Sequence, residues 1–291
     1  MEDKCRYVQS DCSGASVDKL CRILEISRSG YYAWLHRGLS QRALNNQQLL
    51  RELVLLHEKY PAMGLNSLFF LLRNRGVICG RGRVHRLMKR ADIHSLRKKA
   101  YRVTTNSNHK YPISPNLLHR RFDVAEPGRV WVGDITYIPT GEGWLYLAVV
   151  KDLCTKQVIG YAFSERIDTN LTLAALRMAI HRKKPRAGLI FHSDRGSQYA
   201  SNAYWEELEK YGIISSMSRK GDPYDNAVAE NFFSCLKCEL VHLTRFATRR
   251  QAENAIFQYI ECFYNPVRPH SALGWISPND FAREVLPTVA A

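Results

Sequence analysis

Residues 130–164 read VWVGDITYIPTGEGWLYLAVVKDLCTKQVIGYAFS, and this stretch decides the fold. Apolar and β-branched residues fill three runs that we predict to be strands: 130–138, 144–150 and 157–164. Pro139, Gly141 and Gly143 are turn-forming residues, and they separate the first two runs by a short connection. A short connection of this kind joins antiparallel strands. The stretch therefore predicts a sheet that begins as an antiparallel meander.

Downstream of the meander, the hydrophobic pattern alternates between helix and strand. We expect helices at 169–181, 198–211 and 225–240, with short apolar strands at 188–192 and 213–217. Thr248 and Gln251 have the spacing of a capping box that opens a further helix, which Asn265 and Pro266 end. Strands that alternate with helices favour parallel crossovers. The order predicts an α/β domain over residues 124–287, with a mixed five-stranded sheet and flanking helices.

The first third of the chain has helical periodicity only. Residues 16–35 predict two short helices, capped by Ser16 and Ser27 and separated by a tight turn. Residues 46–91 predict three more, with Pro61 ending the first and Gly76 following the second. A small helical hairpin and a helix-turn-helix have the same periodicity. We assign helix-turn-helix segments to 1–44 and 45–96, and a basic linker to 97–123.

The net charge is distributed unevenly along the chain. Residues 1–122 contain 23 Lys and Arg against 8 Asp and Glu, so this segment alone accounts for the formal net charge of +15. Residues 123–291 contain 19 of each and are neutral. A basic segment joined to a neutral one is typical of a polyanion-binding arm attached to a module with another task, although a basic surface also serves solubility.

The last predicted helix before the linker has the composition of a recognition helix. Its stripe consists of Val84, Leu87, Met88 and Ala91. Five cations occupy the remaining positions: Arg81, Arg83, Arg86, Lys89 and Arg90. An apolar stripe with cations elsewhere suits a helix that lies in a DNA groove, and the alternative is an ordinary solvated face. We favour DNA contacts for these five residues.

Three acidic residues are candidates for catalysis. Asp134 lies inside an apolar strand, Asp194 follows another strand, and Glu230 lies within the helix expected at 225–240. Taken singly, each has a plain explanation: a carboxylate paired in the core, a helix cap and a solvated glutamate. Taken together, their spacing allows one helix, one strand and a loop to return Glu230 to the sheet beside the two aspartates.

Converging carboxylates repel one another unless cations neutralise them, and hard oxygen ligands favour Mg²⁺ or Mn²⁺. Two such ions about 3.5–4 Å apart are typical of phosphoryl transfer. We therefore expect Asp134, Asp194 and Glu230 to be both catalytic residues and metal ligands. Lys237 lies two helical turns after Glu230, on the same face, where it could contact a DNA phosphate.

Several sequence blocks together resemble a known family. The segments WVGDITY at 131–137, HSDRGSQY at 192–199 and GDPYDNAVAENFFSCLKCE at 221–239 resemble the DDE core shared by retroviral integrases and bacterial insertion-sequence transposases. The trailing YNPVRPHSALGWISP at 264–278 is also similar. Within that group, LNSLFFLLRNRGVICGRGRVHRLMKR at 65–90 and LEISRSGYYAW at 24–34 resemble the N-terminal part of OrfB-type transposases.

The resemblance implies a ribonuclease-H-like core, two Mg²⁺ ions with Mn²⁺ as a substitute, and cleavage of element ends followed by strand transfer into target DNA. It implies DNA as the partner, a homo-oligomer on DNA, and a possible upstream-frame partner or fusion. Two alternatives are a ribonuclease-H-like nuclease that cuts without joining and a catalytically dead DNA-binding repressor. The eight cysteines, the charged N-terminus and the short apolar runs lead us to expect a cytoplasmic protein without a membrane span.

Overall fold

The computed structural model describes residues 1–10, 14–97, 113–119, 122–219 and 227–289 of the 291-residue chain. The chain divides into two compact units, residues 1–53 and 54–291. In the ranges just given, no helix combines the length and the apolar character that crossing a bilayer requires.

The first unit is helical. Its elements are α1 (Glu2–Ser10), α2 (Val17–Ile23), α3 (Arg28–Leu35) and the first part of α4 (Gln41–Lys59). The predicted caps are confirmed, because Ser16 accepts from the Lys19 N–H and Ser27 accepts from the Gly30 N–H. Helix α1 was not predicted, since its sequence offers no cap signal. Its Cys5 is buried in a small core that α2 and α3 complete.

The second unit opens with the rest of α4, followed by α5 (Leu65–Asn74) and α6 (Arg81–Arg90). The expected ends are confirmed: α4 stops just before Pro61, and Gly76 follows α5 with φ +81°. Such a positive φ is the usual reason for glycine after a helix. The apolar stripes of α5 and α6 are buried, whereas Arg81 at the start of α6 is exposed.

A five-stranded sheet forms the centre of this unit. Its strands are β1 (Val130–Thr140), β2 (Gly143–Asp152), β3 (Val158–Ser164), β4 (Ile190–Ser193) and β5 (Ile214–Met217). The order across the sheet is β3-β2-β1-β4-β5. The first three strands pair antiparallel, while β4 pairs parallel with both β1 and β5. The predicted mixed sheet is confirmed, and this topology with flanking helices is that of the ribonuclease-H-like fold.

Five helices accompany the sheet: α7 (Thr169–Lys183), α8 (Asn202–Lys210), α9 (Ala227–Leu236), α10 (Arg249–Gln258) and α11 (Pro278–Val289). Helix α9 continues as a π-helical turn over Lys237–Val241, and α10 continues as another over Tyr259–Tyr264. The helix expected from residue 198 begins only at Asn202, because Ser201 caps it.

The capping box at α10 is confirmed in part. Thr248 accepts from the Gln251 N–H at 3.1 Å, as the spacing predicts. The Gln251 side chain, however, accepts from the Ala247 N–H and not from that of Thr248. In the reciprocal capping box, the Gln251 side chain would accept from the N–H of Thr248. Here it accepts from the N–H of Ala247, one residue earlier in the chain.

Close packing of α7 on the sheet depends on Gly160 in β3. A Cβ atom at this position would lie 2.2 Å from the Ala175 carbonyl oxygen and 2.8 Å from the Ala179 nitrogen, both in the α7 backbone. Atoms of a regular helix backbone have little freedom to retreat. The missing side chain thus allows α7 to cover this face of the sheet.

We expect Gly160→Ala to lower the free energy of unfolding by about 1–3 kcal/mol, the usual cost of overpacking a core. The matched control is Gly82→Ala in α6, where nothing lies within 4 Å of the added Cβ. This exposed helical site should gain stability, by roughly 0.5–1 kcal/mol. Urea denaturation of both variants provides the measurement. Equal stability of the two variants would contradict the packing described here.

Candidate active site

The strand register brings Asp134 and Asp194 to the same level of the sheet. In the parallel pair, Val132 of β1 lies opposite His192 of β4. Each aspartate follows its paired residue by two positions, and the charge of Asp194 raises the pKa of Asp134, so the two carboxylates lie close together at this end of the ladder. Neighbouring strands are about 4.8 Å apart. The two acidic residues singled out in the sequence are therefore neighbours, and both are half-buried.

The glycine next to Asp134 allows two aromatic rings to pack closely against β1. A Cβ on Gly133 would lie 2.5 Å from Phe191 Cζ and 3.4 Å from Tyr199 Cε1. These rings belong to the core on the α7 side of the sheet. Because alternate residues of a strand face opposite ways, Asp134 belongs to the other face, which α9 covers.

The pKa of Asp134 is raised well above its ordinary value. Burial makes the largest contribution, and the negative charge of Asp194 adds to it. The Ile135 N–H, which donates to Asp134 Oδ1 at 2.8 Å, acts in the opposite direction. Glu230 raises this pKa and Lys237 lowers it, so the Asp134 carboxyl senses the charges of the three other groups.

Glu230 lies in the first turn of α9, and α9 packs against β1. Its side chain is more exposed than the two aspartates, and burial still raises its pKa. Residues 220–226, which precede α9, lie outside the described residues. Asp222 and Asp225, which the sequence suggested as loop and cap residues, lie in that stretch.

The three carboxylates do not form a closed metal cage. Within the described ranges, no group of three or more His, Cys, Asp and Glu side chains is spaced to hold a metal ion. The structure thus brings Asp134 and Asp194 together and places Glu230 within electrostatic range of Asp134, without the convergence expected of three ligands.

Lys237 points back toward β1. Its ammonium nitrogen lies 4.8 Å from the centroid of the Tyr137 ring. Tyr137 follows Asp134 by three residues along β1. Burial lowers the pKa of Lys237, and the charge of Asp134 works against that shift. The side chain is half-buried and its charge interacts with that of Asp134, while its contact with a DNA phosphate stays a prediction.

Two family models, both described as integrase core domain, match residues 124–223 and 211–278. A 31 kDa insertion element IS600 protein of Shigella sonnei is 44% identical over 94% of this chain and 100% of its own length. The transposase InsF for insertion sequence IS3A of Escherichia coli K12 is 35% identical over 96% and 98%. The chain belongs to the insertion-sequence transposases with an integrase core. Its activity is DNA transposition, and it is a DDE polynucleotidyl transferase.

Solved structures show a weaker similarity to this transposase. The HTLV-2 integrase catalytic core domain in complex with magnesium is 16% identical, with a TM-score of 0.41, over 53% of this chain and 96% of that one. Family membership, together with the sheet topology, decides against the catalytically dead repressor considered from the sequence.

A buried ion pair anchors the C-terminal end of α9 in the transposase. Arg268 donates to both carboxylate oxygens of Glu239, at 2.7 and 2.9 Å, and the two side chains are only 10% and 5% exposed. Tyr259 donates to the same carboxylate at 2.8 Å, and Arg97 approaches it at 3.3 Å. The network joins α9 to the segment after α10 and to the start of the basic linker.

Sequence reasoning missed this pair, although a signal was present. Glu239 follows Leu236 by three residues and Phe232 by seven, so it lies on the apolar stripe of its helix. A charge on an apolar stripe needs a buried partner. Arg268 had been singled out only as part of the trailing block that resembles the family.

Two further sequence features have structural explanations. Asp152 accepts from the Gly128 N–H and from the N–H and hydroxyl of Thr155, and thus holds the turn after β2. Asp152 therefore has a structural role in this turn. Cys235 lies against Arg268 Nη2 at 3.3 Å. Cys235 and Cys238 belong to no metal-binding group within the described ranges.

The candidate DNA-binding cations of α6 occupy its outer side. Four of the five are exposed and Arg83 is half-buried. Arg81 donates from Nε to Asn66 Oδ1 at 2.8 Å, which joins the start of α6 to the start of α5. The two helix starts are thus held beside each other.

We expect Arg268→Ala to lower the free energy of unfolding by about 3–5 kcal/mol, because it leaves a buried carboxylate without its main partner. The control is Arg283→Ala, whose pair with Asp280 at 3.2 Å is largely exposed and should contribute about 1 kcal/mol or less. Chemical denaturation measures both. Similar losses in the two variants would mean that the Glu239 network does not anchor α9.

Proposed function

We propose that Asp134, Asp194 and Glu230 are the catalytic residues with which this transposase cleaves element ends and joins them to target DNA. The observation that supports the assignment most strongly is that Asp134 in β1 and Asp194, which directly follows the parallel strand β4, are both half-buried and close enough for the charge of Asp194 to raise the pKa of Asp134. Glu230 on the helix that packs against β1 supplies the third carboxylate. Lys237 supplies a positive charge that lowers the pKa of Asp134.

The donor set fits a divalent cation. Carboxylate oxygens are the ligands that Mg²⁺ and Mn²⁺ prefer, and a cation would offset both the burial and the neighbouring negative charge that raise the pKa of Asp134. Asp134, Asp194 and Glu230 would hold two Mg²⁺ ions, with Mn²⁺ as a substitute. Bound there, such ions activate an attacking oxygen and stabilise the leaving one.

The reaction has two displacements at phosphorus. In the first, a water oxygen bonds to the phosphorus at the element end, the P–O3′ bond breaks, and a 3′-OH is released. In the second, the oxygen of that 3′-OH bonds to a phosphorus of the target strand, the target P–O3′ bond breaks, and a target 3′-OH leaves as the new strand junction forms. Lys237, fixed over the Tyr137 ring, would align the scissile phosphate through its ammonium group.

The helical segments would supply most of the DNA affinity. Residues 1–44 and 45–96 act as helix-turn-helix segments, 97–123 as a basic linker, and 124–287 as the catalytic core. Arg81, Arg83, Arg86, Lys89 and Arg90 would contact DNA. Since all the net charge lies in residues 1–122, phosphate contacts should concentrate there. Two element ends must be processed together, so we also propose a homo-oligomer on DNA, which acts with an upstream-frame partner or as a fusion with it.

Asp134→Asn, Asp194→Asn and Glu230→Gln should each abolish cleavage and joining of labelled element-end duplex in Mg²⁺, because each removes a charged oxygen ligand. DNA binding in EDTA should remain close to that of the unchanged protein. Glu209→Gln, which neutralises an exposed acid on α8, is the control and should retain activity. Activity within a few-fold of the unchanged protein in one of the three variants would remove that residue from the site. Cleaved products without any joined products would favour the nuclease alternative.

Lys237→Ala should slow single-turnover cleavage on the order of 10²-fold, the cost of misplacing a reacting group by about 1 Å. Lys237→Arg should recover part of the rate, because the charge returns with a different geometry. The control is Lys210→Ala on α8, since Lys210 also lies over a tyrosine ring, that of Tyr211, at 5.3 Å. Equal rates for the two alanine variants would assign Lys237 to the solvated surface.

A further inference from the structure

A cavity of about 470 Å³ lies within the second unit, away from the two aspartates. One wall consists of the first residues of α5 and α6, including Asn66, Ser67 and Arg81. The other wall belongs to the core and includes His270 and Ser271. Its walls therefore come from the helices proposed to bind DNA and from the domain that carries the carboxylates.

We call this cavity the interhelical cleft. Its lining is strongly positive. Arg81, Arg97 and Arg268 all contribute to it, and no Asp or Glu is among the described residues that line it. Arg97 and Arg268 both pair with Glu239, a carboxylate that is only 5% exposed. Three guanidinium groups against one carboxylate leave the cleft with an excess of positive charge.

The start of α5 adds donors that lack a protein cap. Gly64 is the N-cap residue and offers no side chain to the first N–H groups of this ten-residue helix. Those groups and the positive end of the helix dipole lie at the cleft, since Gly64, Leu65 and Asn66 line it. An uncapped helix N-terminus beside arginines favours an anion.

His270 provides an independent observation on the core wall. Its Nδ1 atom is buried and has no hydrogen-bond partner among the described residues. Burial and the neighbouring charges of Lys151 and Arg268 lower the pKa of His270 to about 3, so its ring is neutral near pH 7. A buried polar atom without a partner is costly unless a ligand or water satisfies it.

We propose that the interhelical cleft binds a backbone phosphate of DNA and is a second DNA contact, separate from the carboxylate site. The inference rests on the proposed function and extends it. DNA is the source favoured here because Arg81 in the cleft begins the row of cations on α6, so one strand can contact both. Asn231 lines the cleft and directly follows Glu230, which connects the bound phosphate to the catalytic helix.

A phosphate held between the two walls would have a mechanical consequence. It would fix α5 and α6 against α9 through charge-assisted hydrogen bonds, which are stronger and shorter than neutral ones. Recognition of DNA by the helices would then set the position of the helix that carries Glu230. The two walls are already joined by Phe70, which stacks on Trp275 with ring centroids 4.7 Å apart.

The first test adds one negative charge on the helical wall. Asn66→Asp places a carboxylate at the second residue of α5, where the helix dipole tolerates it and Arg81 can still donate to it. The matched control is Asn170→Asp, the same exchange at the second residue of α7, which does not line the cleft. Both side chains are exposed, and both variants change the net charge equally.

The second test adds the same charge on the core wall. Ser271 lines the cleft, so Ser271→Asp introduces the charge there. Its exposed neighbour Ala272 does not line the cleft, so Ala272→Asp is the control. Because this pair is remote in sequence from α6, it separates an effect on the cleft from an effect on Arg81 alone. Thermal unfolding of all four variants checks that each is folded.

Affinity is measured by fluorescence anisotropy with a 30-base-pair duplex in EDTA, over a range of KCl concentrations, so that no cleavage intervenes. We expect Asn66→Asp and Ser271→Asp to bind about tenfold more weakly, the loss of one charge-assisted hydrogen bond. Their log–log salt slope should be shallower by about 0.9, one phosphate contact fewer. Both controls should match the unchanged protein.

Equal affinity for cleft and control variants would overturn the inference while leaving the proposed catalysis intact. Failure of the unchanged protein to bind the duplex would contradict both. Inorganic phosphate tests whether the cleft binds free phosphate and not a phosphate of DNA. If 10 mM phosphate stabilises the unchanged protein but not Ser271→Asp, while DNA affinity is the same for both, the cleft binds free phosphate and the assignment to DNA is wrong.

Discussion

The double pairing of β1 is the constraint on which the active site depends. This strand is hydrogen-bonded to β2 on one edge and to β4 on the other, so its backbone cannot shift without breaking two ladders. The parallel ladder, whose last pair is Val132 with His192, ends two residues before each aspartate and brings Asp134 and Asp194 near each other. Gly133 lets the core rings approach the strand from the opposite face. Two like charges are thereby held close together, and they repel each other. The hydrogen bonds of the sheet keep them in place, and a bound cation would remove the repulsion.

The second constraint is the attachment of α9. Glu239 is held by Arg268 and Tyr259, and Lys151, only 1% exposed, lies 6.0 Å from the Phe232 ring of the same helix. Burial lowers the pKa of Lys151 to about 7. The helix widens into a π-helical turn at its C-terminal end, a feature frequent at functional sites. Glu230, at the opposite end, is exposed.

The sequence predicted the sheet well, because alternating apolar residues and turn glycines encode strands locally. It also predicted the caps Ser16 and Ser27, whose side chains act within three residues. It missed α1, which has no cap signal and is held by tertiary packing of Cys5. The π-helical turns have no periodic signature in a short stretch. The pairing of Glu239 with Arg268 joins residues far apart in the chain, so only the unusual place of the glutamate on an apolar stripe could have indicated it.

The central claim is that the paired aspartates are a metal site for transposition. It can be tested directly by anomalous scattering at the manganese edge, in crystals of the chain with element-end DNA and Mn²⁺. The account predicts manganese peaks in contact with the carboxylates of Asp134 and Asp194, with Glu230 closing the site from α9. Manganese that is absent from these two carboxylates, or bound only elsewhere, would contradict it.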